Sequence, residues 1–161
     1  MSLNPTTRDI DYLHSHARRP RAEAILQAFA EVLTAHVDAE ELYPLANMAG
    51  EQVARETPLG PCDTVAGFRD QLALAFQYRD WGWTDVEAEA DGVLITLGAV
   101  PLTHLFGEGA HWAVGFFEGL LGCWLRDLGA GEALELRHVA HDEDPDNVLR
   151  FRLAHSRNFD A

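Results

Sequence analysis

The sequence predicts an α+β domain: N-terminal helices, a β-hairpin, a long apolar helix and a second β-hairpin, the two hairpins forming an antiparallel sheet of about four strands. Three observations carry this. Apolar residues recur at helical spacing through the first half of the chain. The period drops to two on either side of Asp91-Gly92, and again around Leu136 and Phe151. Between those stretches lies a segment, about Ala110 to Leu128, that is apolar on nearly every side.

The elements follow in order. Residues 1–20 have weak periodicity and two prolines, Pro5 and Pro20, and read as an N-terminal arm. Residues 21–161 read as a single domain. From Arg21 to about His36, Ile25, Leu26, Phe29, Val32 and Leu33 recur at helical spacing. Asp38 followed by Glu41 forms a capping-box pattern that restarts a helix. Pro44 then either kinks that helix or sits in the first turn of its regular part. Leu45, Ala49 and Val53 supply its face, and Pro58 to Pro61 ends it. Thr64 caps a third helix, with Val65, Phe68, Leu72, Ala75 and Phe76 inward. It stops near Trp81-Gly82-Trp83, where the two tryptophans anchor the following hairpin to the helices. Thr84, Val86 and Ala88 alternate with Asp85, Glu87 and Glu89; Asp91-Gly92 is a tight turn and Val93 to Leu97 the return strand.

The apolar segment carries Trp112, Phe116, Phe117, Leu120, Leu121, Trp124 and Leu125, with Glu118 as its only charge between His111 and Arg126. A helix apolar all round is buried all round. Gly115, Gly119 and Gly122 fall at i, i+4 and i+7. Each costs up to about 1 kcal/mol relative to alanine, so close backbone packing must offset it. That packing is either against another subunit, making Trp112 and the three glycines an oligomer interface, or against the protomer's own sheet. Leu134, Leu136 and His138, then Leu149, Phe151 and Leu153, alternate with polar residues and make the second hairpin across an acidic loop.

Composition narrows the function. The 161 residues carry 26 acidic and 12 basic side chains, a net charge of −14. Such a chain repels phosphate backbones, so no nucleic-acid partner is expected. All 12 cations are arginine, which removes every lysine mechanism. No apolar run reaches the roughly 20 residues of a membrane helix, so the chain is not expected to span a membrane. The N-terminus lacks a charged-then-apolar signal pattern, and the expected compartment is cytoplasmic. Cys62 and Cys123 form no metal or disulfide pattern and read as reduced, buried thiols.

No motif carries catalysis. His104, Glu108 and His111 imitate a metal set, but Gly107 and Gly109 flank the glutamate and break the helical spacing such a set needs. Asp142 to Asn147 lacks the central glycine and closing glutamate of a calcium loop. Serine is confined to the chain ends, and no phosphate loop or dinucleotide fingerprint is present. No cofactor, metal or catalytic residue is therefore expected, and the chain is not expected to be an enzyme. Glu118 is expected to take a hydrogen bond from a neighbouring backbone or from an arginine across an interface. Tyr78, Trp81, Trp83, Trp112 and Trp124 are aromatic enough for sugar stacking, but most are expected in the core.

Four segments resemble the D subunit of bacterial cellulose synthase complexes, over about Ile25 to Leu153. They are Ile25-Leu26-Gln27-Ala28-Phe29; Pro58-Leu59-Gly60-Pro61-Cys62-Asp63-Thr64; Asp80-Trp81-Gly82-Trp83; and His111-Trp112 with Phe117-Glu118-Gly119-Leu120-Leu121-Gly122-Cys123-Trp124 and Gly129-Ala130. The arm before Arg21 departs from the pattern. The resemblance implies a non-catalytic accessory protein: dimers assembling to a homo-octamer, beside other cellulose synthase subunits, assisting export, alignment or crystallisation of β-1,4-glucan chains. It implies glucan contacts in the N-terminal region, here Tyr12, His14, His16, Arg18 and Arg19. It places such proteins near the synthase in the cytoplasm or, alternatively, in the periplasm.

A second resemblance, to the small-ligand-binding domains related to 4-vinyl reductases, rests on the order hairpin, glycine-rich helix, hairpin. It implies an apolar ligand between helix and sheet, against residues such as Phe116, Leu120 and Phe151.

Overall fold

A computed structural model describes residues 23–107, 110–141, 144–145 and 147–159. Its helices are α1 (Glu23–His36), α2 (Ala39–Glu56), α3 (Val65–Arg79), the short α4 (Leu102–Phe106) and α5 (Val114–Asp127). Its strands are β1 (Trp83–Glu89), β2 (Gly92–Gly98), β3 (Leu134–His138) and β4 (Leu149–His155). Single 3-10 turns precede α5 (His111–Ala113) and follow β4 (Ser156–Asn158). The α+β class and the antiparallel sheet are those the periodicities predict.

The sheet order is β1-β2-β4-β3, so the second hairpin docks through its later strand and leaves β1 and β3 as the edges. One row across the sheet is Val86, Ile95, Phe151 and His138. Ile95 and Phe151 are fully buried and share a core with Leu72, Phe76, Phe117, Leu120, Leu121 and Trp124. The other side carries Asp85, Glu87, Arg150, Arg152 and Arg137, which alternation places away from the core.

The first hairpin turns through Ala90 and Asp91, not through Asp91-Gly92, because Gly92 already pairs with Glu89. Gly92 is needed for another reason. A Cβ there would lie 3.1 Å from that of Ala154 on the neighbouring strand.

Expectations for three helices change. α2 runs unbroken from Ala39, with Pro44 inside it. Asp38 occupies its N-cap, yet no side-chain capping bond forms; the Asp38 backbone carbonyl accepts from Glu41 and Leu42 instead. Thr64 does cap α3, accepting from the Gly67 N–H at 3.0 Å, but Val65 points outward. The regular part of α5 starts only at Val114, after the 3-10 turn, and spans 14 residues.

The largest change concerns α1. Its apolar stripe faces out: Ile25 is 62% exposed, Phe29 66% and Val32 58%, while only Ala30 of this helix is buried. Helical periodicity shows that a face exists. It does not show that the rest of the chain covers it.

Candidate functional site

The centre of the molecule is the contact between α2 and α5, the most extensive helix pairing. Three glycines permit it. A Cβ on Gly119 would lie 2.7 Å from the Asn47 carbonyl carbon. One on Gly115 would lie 2.6 Å from the Tyr43 backbone carbonyl oxygen, and one on Gly50 2.8 Å from the Leu120 backbone nitrogen. The packing that offsets Gly115 and Gly119 thus comes from α2 of the same chain. Gly122 is different, since its nearest neighbour is the end of the Arg126 side chain at 3.7 Å. Gly50 joins this set only in the fold, although a mid-helix glycine between Leu45 and Val53 carries the same signal.

Polar groups lock this seam. The Tyr43 hydroxyl donates to Glu118 at 2.6 Å, so the partner of the lone carboxylate is a tyrosine and not an arginine. Burial, then the Glu118 contact, pushes the Tyr43 pKa well above its ordinary value. Trp112 is buried and donates its ring N–H to Thr34 at 2.9 Å, joining α1 to the start of α5. Trp124, 1% exposed, donates to the Thr57 carbonyl at 2.9 Å. Each buried indole therefore has the partner it requires.

The remaining aromatics divide. Trp81 meets Phe76 and Phe116 edge-to-face, at 5.8 and 6.0 Å, and so ties the hairpin corner to α3 and α5. Trp83 lies over Gly98. Tyr78 alone among the candidate stacking residues stands in solvent, at 89% exposure. Cys123 is buried, which pushes its thiol pKa up; Cys62 is half-buried, and both are free.

The expected glucan contacts Tyr12, His14, His16, Arg18 and Arg19 lie outside the described residues, as do Glu108 and the side chain of His104. Among the described residues no group of three His, Cys, Asp or Glu side chains is placed to hold a metal.

Among the described residues one cleft lies at the N-terminal end of α5 and another along its C-terminal half. The first, about 520 Å³, has an aliphatic floor that includes Val114, Val148 and Leu149. His111, His138 and His141 line it, with the Arg150–Asp144 pair bonded at 2.7 and 2.9 Å. Burial lowers the His138 pKa, with Glu118 opposing. The second, about 390 Å³, lies between β3 and the C-terminal half of α5. Neither is lined by Phe116, Leu120 or Phe151; Leu120 and Phe151 are fully buried in the core.

Among the described residues the chain thus consists of a glycine-packed helix pair on a four-stranded sheet, with an exposed apolar helix face at its side. The family model of the cellulose synthase D subunit matches residues 8–152. The chain belongs to this family. Comparison with curated proteins gives no match. A cellulose synthase D subunit takes part in cellulose synthesis and is not the catalytic member of the complex. The match begins at residue 8, so it includes much of the arm that departs from the four-segment pattern. Other synthase subunits are its partners by family, and among the described residues no helix is long and apolar enough to cross a membrane.

Proposed function

We propose that this cellulose synthase D subunit is a non-catalytic, self-assembling scaffold that assists export, alignment or crystallisation of β-1,4-glucan chains. It works in the cytoplasm near the synthase, as dimers that build an octamer. The observation that carries the reading is the α1 stripe. Ile25, Leu26, Phe29, Val32 and Leu33 are 39–66% exposed on one helix of 14 residues. A contiguous apolar patch of this kind marks an interaction surface. Leu45 and Met48 of α2, 58% and 65% exposed, add further uncovered apolar side chains.

The oligomer contact expected at Trp112, Gly115, Gly119 and Gly122 accordingly moves outward. Trp112, Gly115 and Gly119 build the protomer that presents α1, and Gly122 stays open. Tyr12, His14, His16, Arg18 and Arg19, just ahead of α1, are the proposed glucan contacts. Hydroxyl-rich neutral chains suit tyrosine and histidine, which donate and accept, and arginine, which donates, without requiring a charged ligand.

Light scattering of the full chain tests this. The expected mass is about eight times the 17.8 kDa protomer. A monomer at micromolar concentration overturns it. Phe29→Glu should keep the circular-dichroism spectrum and lower the assembled mass. Loss of cellodextrin binding on replacing Arg18 and Arg19 by alanine, at unchanged mass, tests the glucan part separately.

A further inference from the structure

Helix α1 is amphipathic the wrong way round. An amphipathic helix ordinarily turns its apolar stripe to its own core. Here the inward positions are mostly polar. Glu23 and Gln27 are half-buried, the Thr34 hydroxyl accepts the Trp112 ring N–H at 2.9 Å, and Ala30 is the one buried residue of the helix. Gln27 and Glu31 reach toward Gly107, each with an atom 4.0 Å from where a Cβ there would stand. The opposite side carries Ile25, Leu26, Phe29, Val32 and Leu33, 39–66% exposed. Both acidic residues of the helix, Glu23 and Glu31, thus lie off the apolar stripe.

The stripe is symmetric about Phe29. At about 100° per residue, Ile25 and Leu33 lie about 40° to either side of Phe29, and Leu26 and Val32 about 60°. Along the axis each pair is equally far from Phe29, one member before it and one after. A half-turn about a line through Phe29 therefore carries Ile25 onto Leu33 and Leu26 onto Val32. That is the self-complementarity an isologous contact requires. Two such stripes face to face remove on the order of 1,000 Å² from water, the size at which specific interfaces begin.

Charge fixes the direction. Two copies of a chain with net charge −14 repel one another, and an uncharged stripe is where that repulsion costs least. An antiparallel pair opposes the helix dipoles and brings the acidic first turn of each copy, at Glu23, beside the last turn of the other, at His36. A parallel pair would align the dipoles and set the Glu23 ends together. We propose that α1 of one copy packs antiparallel on α1 of a second copy, across a two-fold axis at Phe29. Phe29 then meets the partner's Phe29, Ile25 meets the partner's Leu33, and Leu26 meets the partner's Val32. This rests on the assembly reading above and names the contact that makes its dimer.

Disulfide trapping on the full chain tests this, in a Cys62→Ala background that leaves only the buried Cys123. Ile25→Cys and Leu33→Cys should each fail to link alone under mild oxidation. The two copies of either residue would stand about 12 Å apart along the helix axis, beyond the roughly 7 Å between Cα atoms that a disulfide can bridge. The double variant Ile25→Cys with Leu33→Cys keeps Phe29 and should give roughly tenfold more linked dimer than either single variant. Phe29→Cys, on the axis, should link with itself. Light scattering before oxidation separates this contact from the assembly reading. If the double variant is assembled yet stays unlinked, or if Ile25→Cys alone links, the two-fold α1 contact is overturned and the assembly reading stands. A monomeric parent removes the assembly reading and, with it, this one.

Discussion

Gly119→Ala is the sharpest probe of the α2–α5 contact. The added Cβ would meet backbone, not a movable side chain: the Asn47 carbonyl carbon at 2.7 Å and Cα at 3.0 Å, with the carbonyl oxygen closer still. Ordinary contact needs about 3.5 Å or more, so α5 must back away from α2 by roughly 1 Å. A gap of that size forfeits about a quarter to a half of the dispersion energy across the contact. Overpacking of this kind costs about 1–3 kcal/mol, and backbone obstruction places it at the upper end. Alanine returns up to about 1 kcal/mol of helix propensity. The net loss is about 2 kcal/mol, equivalent to a Tm drop of about 4–8 °C for a chain of this length. Urea denaturation followed by circular dichroism, at one fixed protein concentration, reads it directly. Gly122→Ala is the internal control. Its Cβ meets only the Arg126 side chain at 3.7 Å, so the propensity gain remains and stability should rise by up to about 1 kcal/mol. If Gly119→Ala unfolds at the same or a higher urea concentration than the parent, the reasoning about close backbone approach is wrong.

Further outcomes are expected at three residues. The Thr84 hydroxyl is buried without a hydrogen-bond partner among the described residues, so Thr84→Val should stabilise by about 1 kcal/mol, read as a raised thermal midpoint. Tyr43→Phe removes the hydroxyl that α2 donates to Glu118 and should cost about 1–3 kcal/mol in chemical denaturation. Tyr43 also predicts a pH signature. Its folded-state pKa is raised above its unfolded value near 10, so its contribution is complete below about pH 10 and is lost as pH climbs beyond it. The parent should therefore lose stability above pH 10 more steeply than Tyr43→Phe; parallel curves would contradict this. His138 acts in the opposite range. Its lowered pKa makes stability fall as pH drops below about 6.5, and His138→Gln should flatten that acid limb.

Local chemistry makes much of the fold legible. The change of period at Trp83, the Thr64 cap and the alternation on each side of Gly92 are short-range signals, and the hairpins and α3 follow from them. The glycines at 115 and 119 also announce a close approach, because each is unfavourable in a helix unless another backbone occupies the missing side chain's place. What they approach is not written locally. Asn47 and Tyr43 lie some 70 residues earlier, and only tertiary contact shows that α2 fills the notch from within the chain. The same holds for Glu118, whose tyrosine partner is 75 residues away.

The sequence by itself determined the types of the main helices and strands, though not the short α4 (Leu102–Phe106), together with the buried character of α5, the acidic balance and the membership its four segments suggest. The tertiary structure alone decided which apolar face stays exposed, which glycines are already matched, and which strands form the edges of the described sheet. Periodicity records the amphipathic shape of an element, a property of residues a few positions apart. Exposure and pairing depend on what the rest of the chain brings alongside. Thus α1 and α5 both read as apolar helices, yet α5 is enclosed between α2 and the sheet while α1 leaves Ile25 and Phe29 in solvent.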